Sequence, residues 1–223
     1  QFNGIFSDTF DSMFKTFKNT IHMRKVTGST VTTGQTYSVY NTGLTFFELG
    51  YNNTLQDYVS AIHEFGHGIS CKLNSKAMWD FGKYCFIEVD SLFFELLGTD
   101  YIAEKLDRKK DAFDINIDVL KDYMYSAMLV STKLDMYSEC DRYDLNNKRF
   151  VKQYLSKEAN LNKLGVNDVM KTWVRDCMHY IVSYLTAIEL YLIYQDNPDK
   201  ALELLLSEEN SNLLKCLNNL KAA

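Results

Sequence analysis

Proline is nearly absent from this chain: Pro198 is the only one in 223 residues. Proline removes a backbone hydrogen-bond donor and interrupts helices, so prolines normally gather where helices end and loops begin. A chain of this length with a single proline is therefore predicted to consist mostly of long helices. Glycines and short polar stretches are expected to supply the joints between them.

Apolar residues recur at three- and four-residue spacing along most of the chain, which is the pattern of helices that bury one face. The first such helix is predicted over residues 6–24, and Thr54 is predicted to cap a second one from Leu55 to about Leu73. Further helices are predicted at residues 83–107, 112–143, 147–157, 166–194, 198–207 and 209–221.

One short region near the N-terminus has a different composition. Residues 26–33 and 36–40 are rich in β-branched and aromatic side chains, with Gly34 between them, which favours two short strands around a turn. Residues 44–49 are predicted as a further strand. The predicted fold class is therefore mainly α with one small β-sheet near the N-terminus. No internal repeat or flexible linker divides the sequence, so residues 1–223 are expected to form a single domain.

Charge and cysteine usage exclude some function classes. The chain has 24 Lys and Arg against 29 Asp and Glu, and a net charge of −5 makes nucleic acid an unexpected partner. No apolar run approaches the roughly 20 residues of a membrane span, and no signal-peptide layout is present. The 5 cysteines form no CxxC pair, which favours reduced thiols. We therefore expect a cytoplasmic protein without a membrane partner.

The strongest chemical signal is the segment His63-Glu64-Phe65-Gly66-His67. Residues i and i+4 of a helix lie one above the other, so the imidazoles of His63 and His67 can point at one ion. Zinc favours neutral imidazole ligands, and Glu64 lies close enough to accept a proton from a water that the metal activates. The alternative interpretation is a surface helix with two histidines. The apolar flanks of the segment favour the zinc site, because they place the histidines beside a buried face.

A catalytic zinc ion usually takes three protein ligands and keeps one position open for water. Glu88 is preferred as the third ligand, because it lies in an apolar stretch where an unpaired carboxylate is costly to bury. Glu95 lies two helical turns further on the same face and is predicted to orient a ligand histidine through its other ring nitrogen. The alternative is that both acids are solvated on an amphipathic helix. Gly66 and Gly68 are costly inside a helix, so another backbone or a substrate is expected to approach closely there.

These motifs carry a resemblance to a known family. The segment from Tyr51 through His67, the Glu88-Val89-Asp90-Ser91 segment with Glu95, and a late tyrosine-bearing helix resemble the oligopeptidase family of zinc peptidases. Its members include oligoendopeptidase F and, more distantly similar to this chain, thimet oligopeptidase. The resemblance implies a mainly helical, zincin-like catalytic domain that cuts short peptides inside a deep channel between two lobes. Family members are usually more than twice as long, so an N-terminal lobe is expected to be missing.

The resemblance also implies roles for individual residues. One zinc ion per chain is expected, with the ligand set His63, His67 and Glu88, and with Glu64 as the general base. Tyr180 and Tyr184 are expected to contact the substrate or to stabilise the oxyanion. For these two tyrosines, packing inside a helical core is the alternative explanation.

The sequence thus predicts a zinc-dependent metalloendopeptidase that hydrolyses short peptides. Two alternatives stay open: a helical module that binds peptides or a partner chain around a structural zinc, and a zinc hydrolase with another kind of substrate. The strand at residues 36–40 has two interpretations as well. Its edge could receive an extended peptide, or the strand could simply cover the core.

Overall fold

The structure, a computed structural model, describes residues 12, 15–25, 34–39, 44–73, 81–139, 146–157, 163–206 and 218, without the side chains of residues 72–73, 81–87 and 175–176. By its internal contacts the chain divides into two compact units. The first unit is Gln1–Asn116 with Ser183–Ala223, and the second is Ile117–Val182.

The described part of the first unit contains a three-stranded sheet of β1 (Ile21–Lys25), β2 (Gly34–Val39) and β3 (Leu44–Tyr51). Strand β3 lies in the middle, parallel to β1 and antiparallel to β2. Side chains alternate across β3, as a strand requires, so that Phe47 and Leu49 are buried in the core. The prediction of a mainly helical fold with one small sheet near the N-terminus is confirmed.

The prediction of a helix over residues 6–24 is wrong at the C-terminal end of that range. Residues 15–17 are helical, a turn follows, and β1 occupies the positions after it. Phe17 packs edge-on against Phe47 at 5.0 Å between ring centroids, and the Phe47 N–H donates to the Thr20 carbonyl. Pairing with β3 therefore overrides the helical spacing of the apolar residues in this segment.

Two other predictions fall at least partly beyond the described residues. The strand at residues 26–33 lies outside them altogether. The helix at residues 209–221 lies outside them except for residue 218, which is helical.

Seven helices follow the sheet in the described part of the chain. They are α1 (Leu55–Leu73), α2 (Phe81–Glu104), α3 (Lys109–Glu139), α4 (Lys148–Leu155), α5 (Val166–Lys171), α6 (Val174–Asp196) and α7 (Pro198–Leu206). Thr54 caps α1 as predicted. Its hydroxyl accepts from the Asp57 N–H at 3.3 Å, and the Asp57 carboxylate accepts from the Thr54 N–H at 2.8 Å.

The helix predicted over residues 166–194 is in fact two helices, α5 and α6. The backbone is extended at Thr172, with φ −62° and ψ 124°, which ends α5. The Lys133 ammonium donates to the carbonyl oxygens of Met170 and Thr172 at this break. A long-range contact from α3 therefore stabilises an interruption that helical periodicity does not reveal.

Each unit has its own apolar cluster. In the first unit Val59 of α1, Ile102 of α2 and Ala112 at the start of α3 are buried together. In the second unit the buried cluster consists of Leu129, Met136, Val151, Tyr154, Leu155, Leu164 and Val169. The cluster of the first unit thus includes Val59 near the N-terminal end of α1, and His63, Glu64 and His67 lie further along that helix.

Helix α6 includes the 20-residue stretch Cys177–Asp196, which is long and apolar enough to cross a membrane by length and composition, with a mean hydropathy of 1.2. About a third of that stretch, 33%, is buried. One such helix is weak evidence, since the core helix of a water-soluble protein passes the same test. Ser183, Thr186 and Glu189 interrupt the apolar residues of this stretch, so the expectation that no membrane partner exists stays a prediction.

Candidate metal centre

Helix α1 brings the two histidines of the HExxH segment onto one face. His63 and His67 are one turn apart, and their rings meet edge to face at 4.8 Å between centroids. Both side chains are mostly buried, with 21% and 15% of their surfaces exposed. The face that carries the histidines therefore points into the structure rather than into solvent.

Helix α2 supplies the acid that completes the group. The Glu88 Oε2 atom lies 3.8 Å from His63 Nε2 and 3.7 Å from His67 Nε2. The three donor atoms lie within 4.8 Å of one another, and Glu88 is buried. Donors about 2.1 Å from a tetrahedrally coordinated ion stand roughly 3.4 Å apart, so this spacing fits an ion between them. The structure confirms that this group could hold a metal ion.

Gly66 allows the two helices to approach this closely. A Cβ atom at Gly66 would lie 2.5 Å from the Ser91 Cα of α2, a distance that a backbone contact does not permit. Gly68 is equally confined, because a Cβ there would lie 2.5 Å from the ring of Phe47. The prediction that another backbone approaches these glycines is confirmed at Gly66, and at Gly68 the close neighbour is an aromatic side chain. Ser91 lies one turn after Glu88, so the contact at Gly66 sets the position of the metal-facing acid.

Glu95 lies behind the first histidine. Its Oε2 atom is 3.0 Å from His63 Nδ1, the ring nitrogen that does not face Glu88. Burial alone would lower the pKa of His63, but the Glu95 hydrogen bond and charge, with Glu88 and Glu64, outweigh it and raise that pKa. A carboxylate at this nitrogen fixes the tautomer and the ring orientation of a ligand histidine, which is the geometry predicted for Glu95.

Glu64 is buried, with 7% of its surface exposed, and it faces strand β2. The Thr36 hydroxyl donates to Glu64 Oε2 at 2.6 Å and lies 3.1 Å from the Glu64 backbone oxygen. Burial raises the pKa of Glu64, although the Thr36 hydrogen bond and the nearby His63 oppose that shift. Glu64 therefore interacts electrostatically with one histidine of the group while its carboxylate is held by the sheet.

The two predicted tyrosines differ in their surroundings. Tyr184 belongs to the first unit and is buried, and burial together with the Glu95 charge raises the pKa of its hydroxyl. Its phenol therefore stays protonated, and it lies within electrostatic reach of the Glu95 carboxylate. Tyr180 belongs to the second unit, is 40% exposed, and lies against the ring of His179 at 4.1 Å between centroids. Its role stays a prediction.

Sequence reasoning missed the partners of Glu64 on β2. Thr36 and Gly34 are inward-facing positions of a strand whose burial alternates, so the period of two placed them on one face. Nothing in the sequence indicates which helix that face meets. Thr36 lies 28 residues before Glu64, and only the packing of β2 against α1 brings them together.

Comparison with known proteins adds no relative. No family model matches this chain, and neither the curated proteins nor the solved structures include a match.

Proposed function

We propose that this chain is a zinc-dependent metallopeptidase domain that hydrolyses short peptides, with His63, His67 and Glu88 as ligands and Glu64 as general base. One observation carries the proposal. Two imidazole nitrogens and a buried carboxylate oxygen converge within 4.8 Å, and the buried Glu64 follows the first histidine along α1.

The donor chemistry favours zinc. Two imidazoles and one carboxylate form a ligand set typical of catalytic zinc sites, and hard cations such as magnesium prefer oxygen donors alone. The charges favour a cation as well, because the buried Glu64 and Glu88 and the largely buried Glu95 all interact with His63. A bound zinc ion would polarise the scissile carbonyl and lower the pKa of a water molecule at the open position.

Glu64 supplies the proton transfers in this proposal. Its carboxylate accepts a proton from the attacking water and later returns it to the nitrogen of the leaving amine. Burial raises the pKa of Glu64, which strengthens it as a base relative to an exposed carboxylate. The position of Glu64 directly after His63 on α1 keeps it beside the metal group without making it a ligand.

Tyr184 is the better supported of the two tyrosines as a hydrogen-bond donor to the oxyanion. It is buried in the same unit as the metal group, and its raised pKa keeps the hydroxyl proton in place at neutral pH. A donor of this kind is worth roughly 3 kcal/mol in comparable sites. Tyr180 is retained as a substrate contact on the resemblance alone.

The preference for peptides rests on the resemblance to oligopeptidases and on the position of β2. In the described part of the chain β2 pairs only with β3, so its other edge has backbone groups that an extended peptide could pair with. That edge belongs to the strand that contacts Glu64. Short cytoplasmic peptides, rather than nucleic acid or lipid, are the proposed substrates.

The Glu64→Gln variant tests this function. We expect it to retain one zinc ion per chain by mass spectrometry and to lose cleavage of a quenched peptide library by about 10²- to 10⁴-fold, because the amide cannot accept the proton. Glu104→Gln, which neutralises an exposed acid on α2, is the matched control and should cleave at the parental rate. A Glu64→Gln protein that cleaves like its parent overturns the general-base assignment. If the parent protein is fully occupied by zinc but has no peptidase activity, the proposal of a peptidase is overturned.

A further inference from the structure

Strand β2 packs one face against the helix that carries the HExxH segment. Its burial alternates, with residues 34, 36 and 38 turned inward and residues 35, 37 and 39 exposed. Two of the inward positions lie against the same side chain, that of Glu64. This arrangement does more than cover the core, because the two contacts act on the carboxylate group itself.

The two contacts are of different kinds. Thr36 makes a short hydrogen bond of 2.6 Å to Glu64 Oε2, in which the hydroxyl is the donor. Gly34 provides space: a Cβ atom there would lie 2.5 Å from Glu64 Cγ, 2.6 Å from Oε1 and 2.8 Å from Cδ. Any other residue at position 34 would displace the carboxylate, and any residue without a hydroxyl at position 36 would leave it without this donor.

We infer that β2 positions the general base. Thr36 is a positioning residue that orients the Glu64 carboxylate, and Gly34 leaves the space into which that carboxylate fits. The catalytic part of this inference rests on the proposed function. The Thr36 hydroxyl occupies one acceptor position of the carboxylate, so the remaining lone pairs stay available to take the proton from the attacking water. An unrestrained glutamate side chain samples several rotamers, and a general base must lie within hydrogen-bond reach of its proton.

The first test needs neither metal nor activity. Thr36→Val, Glu64→Met and the double variant are unfolded in urea with a chelator present. A hydrogen bond to a buried charged group predicts that Thr36→Val raises the unfolding equilibrium constant about tenfold in the parent background. In the Glu64→Met background the same change should alter it less than about twofold, because the partner is absent. If Thr36→Val changes the unfolding equilibrium constant equally in both backgrounds, the hydrogen bond to Glu64 does not stabilise the protein and the inference is overturned.

The second test uses the zinc-loaded protein and a quenched peptide. Thr36→Val should lower kcat about ten- to a hundredfold with zinc content and KM unchanged, because the base is present but misplaced. Thr36→Ser keeps the hydroxyl and should restore kcat to within about threefold of the parent. Ser38→Ala is the matched control: Ser38 lies on the same face of β2, but its hydroxyl meets Thr45 at 3.3 Å. A Thr36→Val protein with parental kcat overturns the positioning role.

Gly34→Ala separates positioning from folding. The atoms that the new methyl group meets belong to the flexible end of one side chain, so Glu64 moves and the backbone does not. We expect the unfolding equilibrium constant to rise by no more than about tenfold, the effect of losing the Thr36 hydrogen bond, while kcat falls at least about tenfold. If the parent protein has no peptidase activity while the urea experiment shows coupling, the proposed function fails and the hold of β2 on Glu64 stands. If the parent is active and the coupling is absent, only this inference fails.

Discussion

The helix pair α1–α2 and the unit Ile117–Val182 both bury charged side chains, but they compensate the charge in different ways. In that unit Lys133 is 8% exposed, and its ammonium donates to the backbone oxygens of Met170 and Thr172. Carbonyls at the C-terminal end of a helix have no partner within the helix and carry a partial negative charge. The charge of Lys133 is therefore compensated by backbone groups of its own unit.

In the helix pair the buried charges face each other. Glu88 lies between His63 and His67, and Glu95 lies behind His63. Together with Glu64, these two acids interact with His63 and raise its pKa. Buried charge therefore has a structural role where backbone groups of the fold compensate it. Where carboxylates face imidazoles instead, as in this helix pair, the group could hold a metal ion.

The largest expected effect is the loss of metal in Glu88→Ala. Removing one of the three proposed ligands should weaken zinc binding by more than about a hundredfold, because loss of a residue that only supports a ligand already costs 10- to 100-fold. Lys133→Met is the contrasting change: it should leave zinc affinity unchanged and lower the free energy of unfolding by about 1–2 kcal/mol, as expected for lost hydrogen bonds. Competition with a chromogenic chelator measures the affinities. If Glu88→Ala retains zinc, or if Lys133→Met loses it, the two regions do not differ in the role of their buried charges.

The second effect concerns the close approach of α1 and α2. In Gly66→Ala the new Cβ would lie 2.5 Å from the Ser91 Cα, so the helices must separate. We expect the free energy of unfolding to fall by about 1–3 kcal/mol, and zinc affinity to fall with it as Glu88 moves away from the histidines. Urea unfolding with a chelator, and zinc titration without one, measure the two effects.

Gly98→Ala is the matched control for that substitution. Gly98 lies on α2, where a Cβ would be 3.4 Å from the Ile62 side chain, close to an ordinary packing distance. Alanine has a higher helix propensity than glycine, so this variant should be as stable as the parent or about 0.5–1 kcal/mol more stable. Equal stability of the two variants would show that Gly66 does not set the spacing of the helices.

The sequence predicted the parts of the site that depend on local geometry. The start of α1 was predicted from the cap at Thr54, and the shared face of His63 and His67 was predicted from helical periodicity. Glu88 was predicted because an acid in an apolar stretch needs a partner. These features need no knowledge of how distant segments pack.

The parts that the sequence did not predict depend on contacts between distant segments. The sequence of β1 has the pattern of the end of an amphipathic helix. The strand forms because it pairs with β3, which lies more than 20 residues away in the chain. The break between α5 and α6 follows from Lys133, which lies 37 and 39 residues before the carbonyls it binds. Thr36 was missed for the same reason. Periodicity identifies the buried face of an element but not the element that covers it.

The smallest expected effect concerns the hydrogen bond between Glu95 and His63. Glu95→Gln keeps an oxygen that can accept from His63 Nδ1 but removes the negative charge 3.0 Å from the ring. If Glu95 raises the basicity of His63 as a ligand, zinc affinity should fall about tenfold, with the apo protein almost as stable as the parent. Glu104→Gln removes an exposed charge from the same helix and should leave the affinity unchanged. Equal affinities in both variants would mean that Glu95 serves the packing of α1 on α2. The charge of Glu95 would then be structural, like that of Lys133.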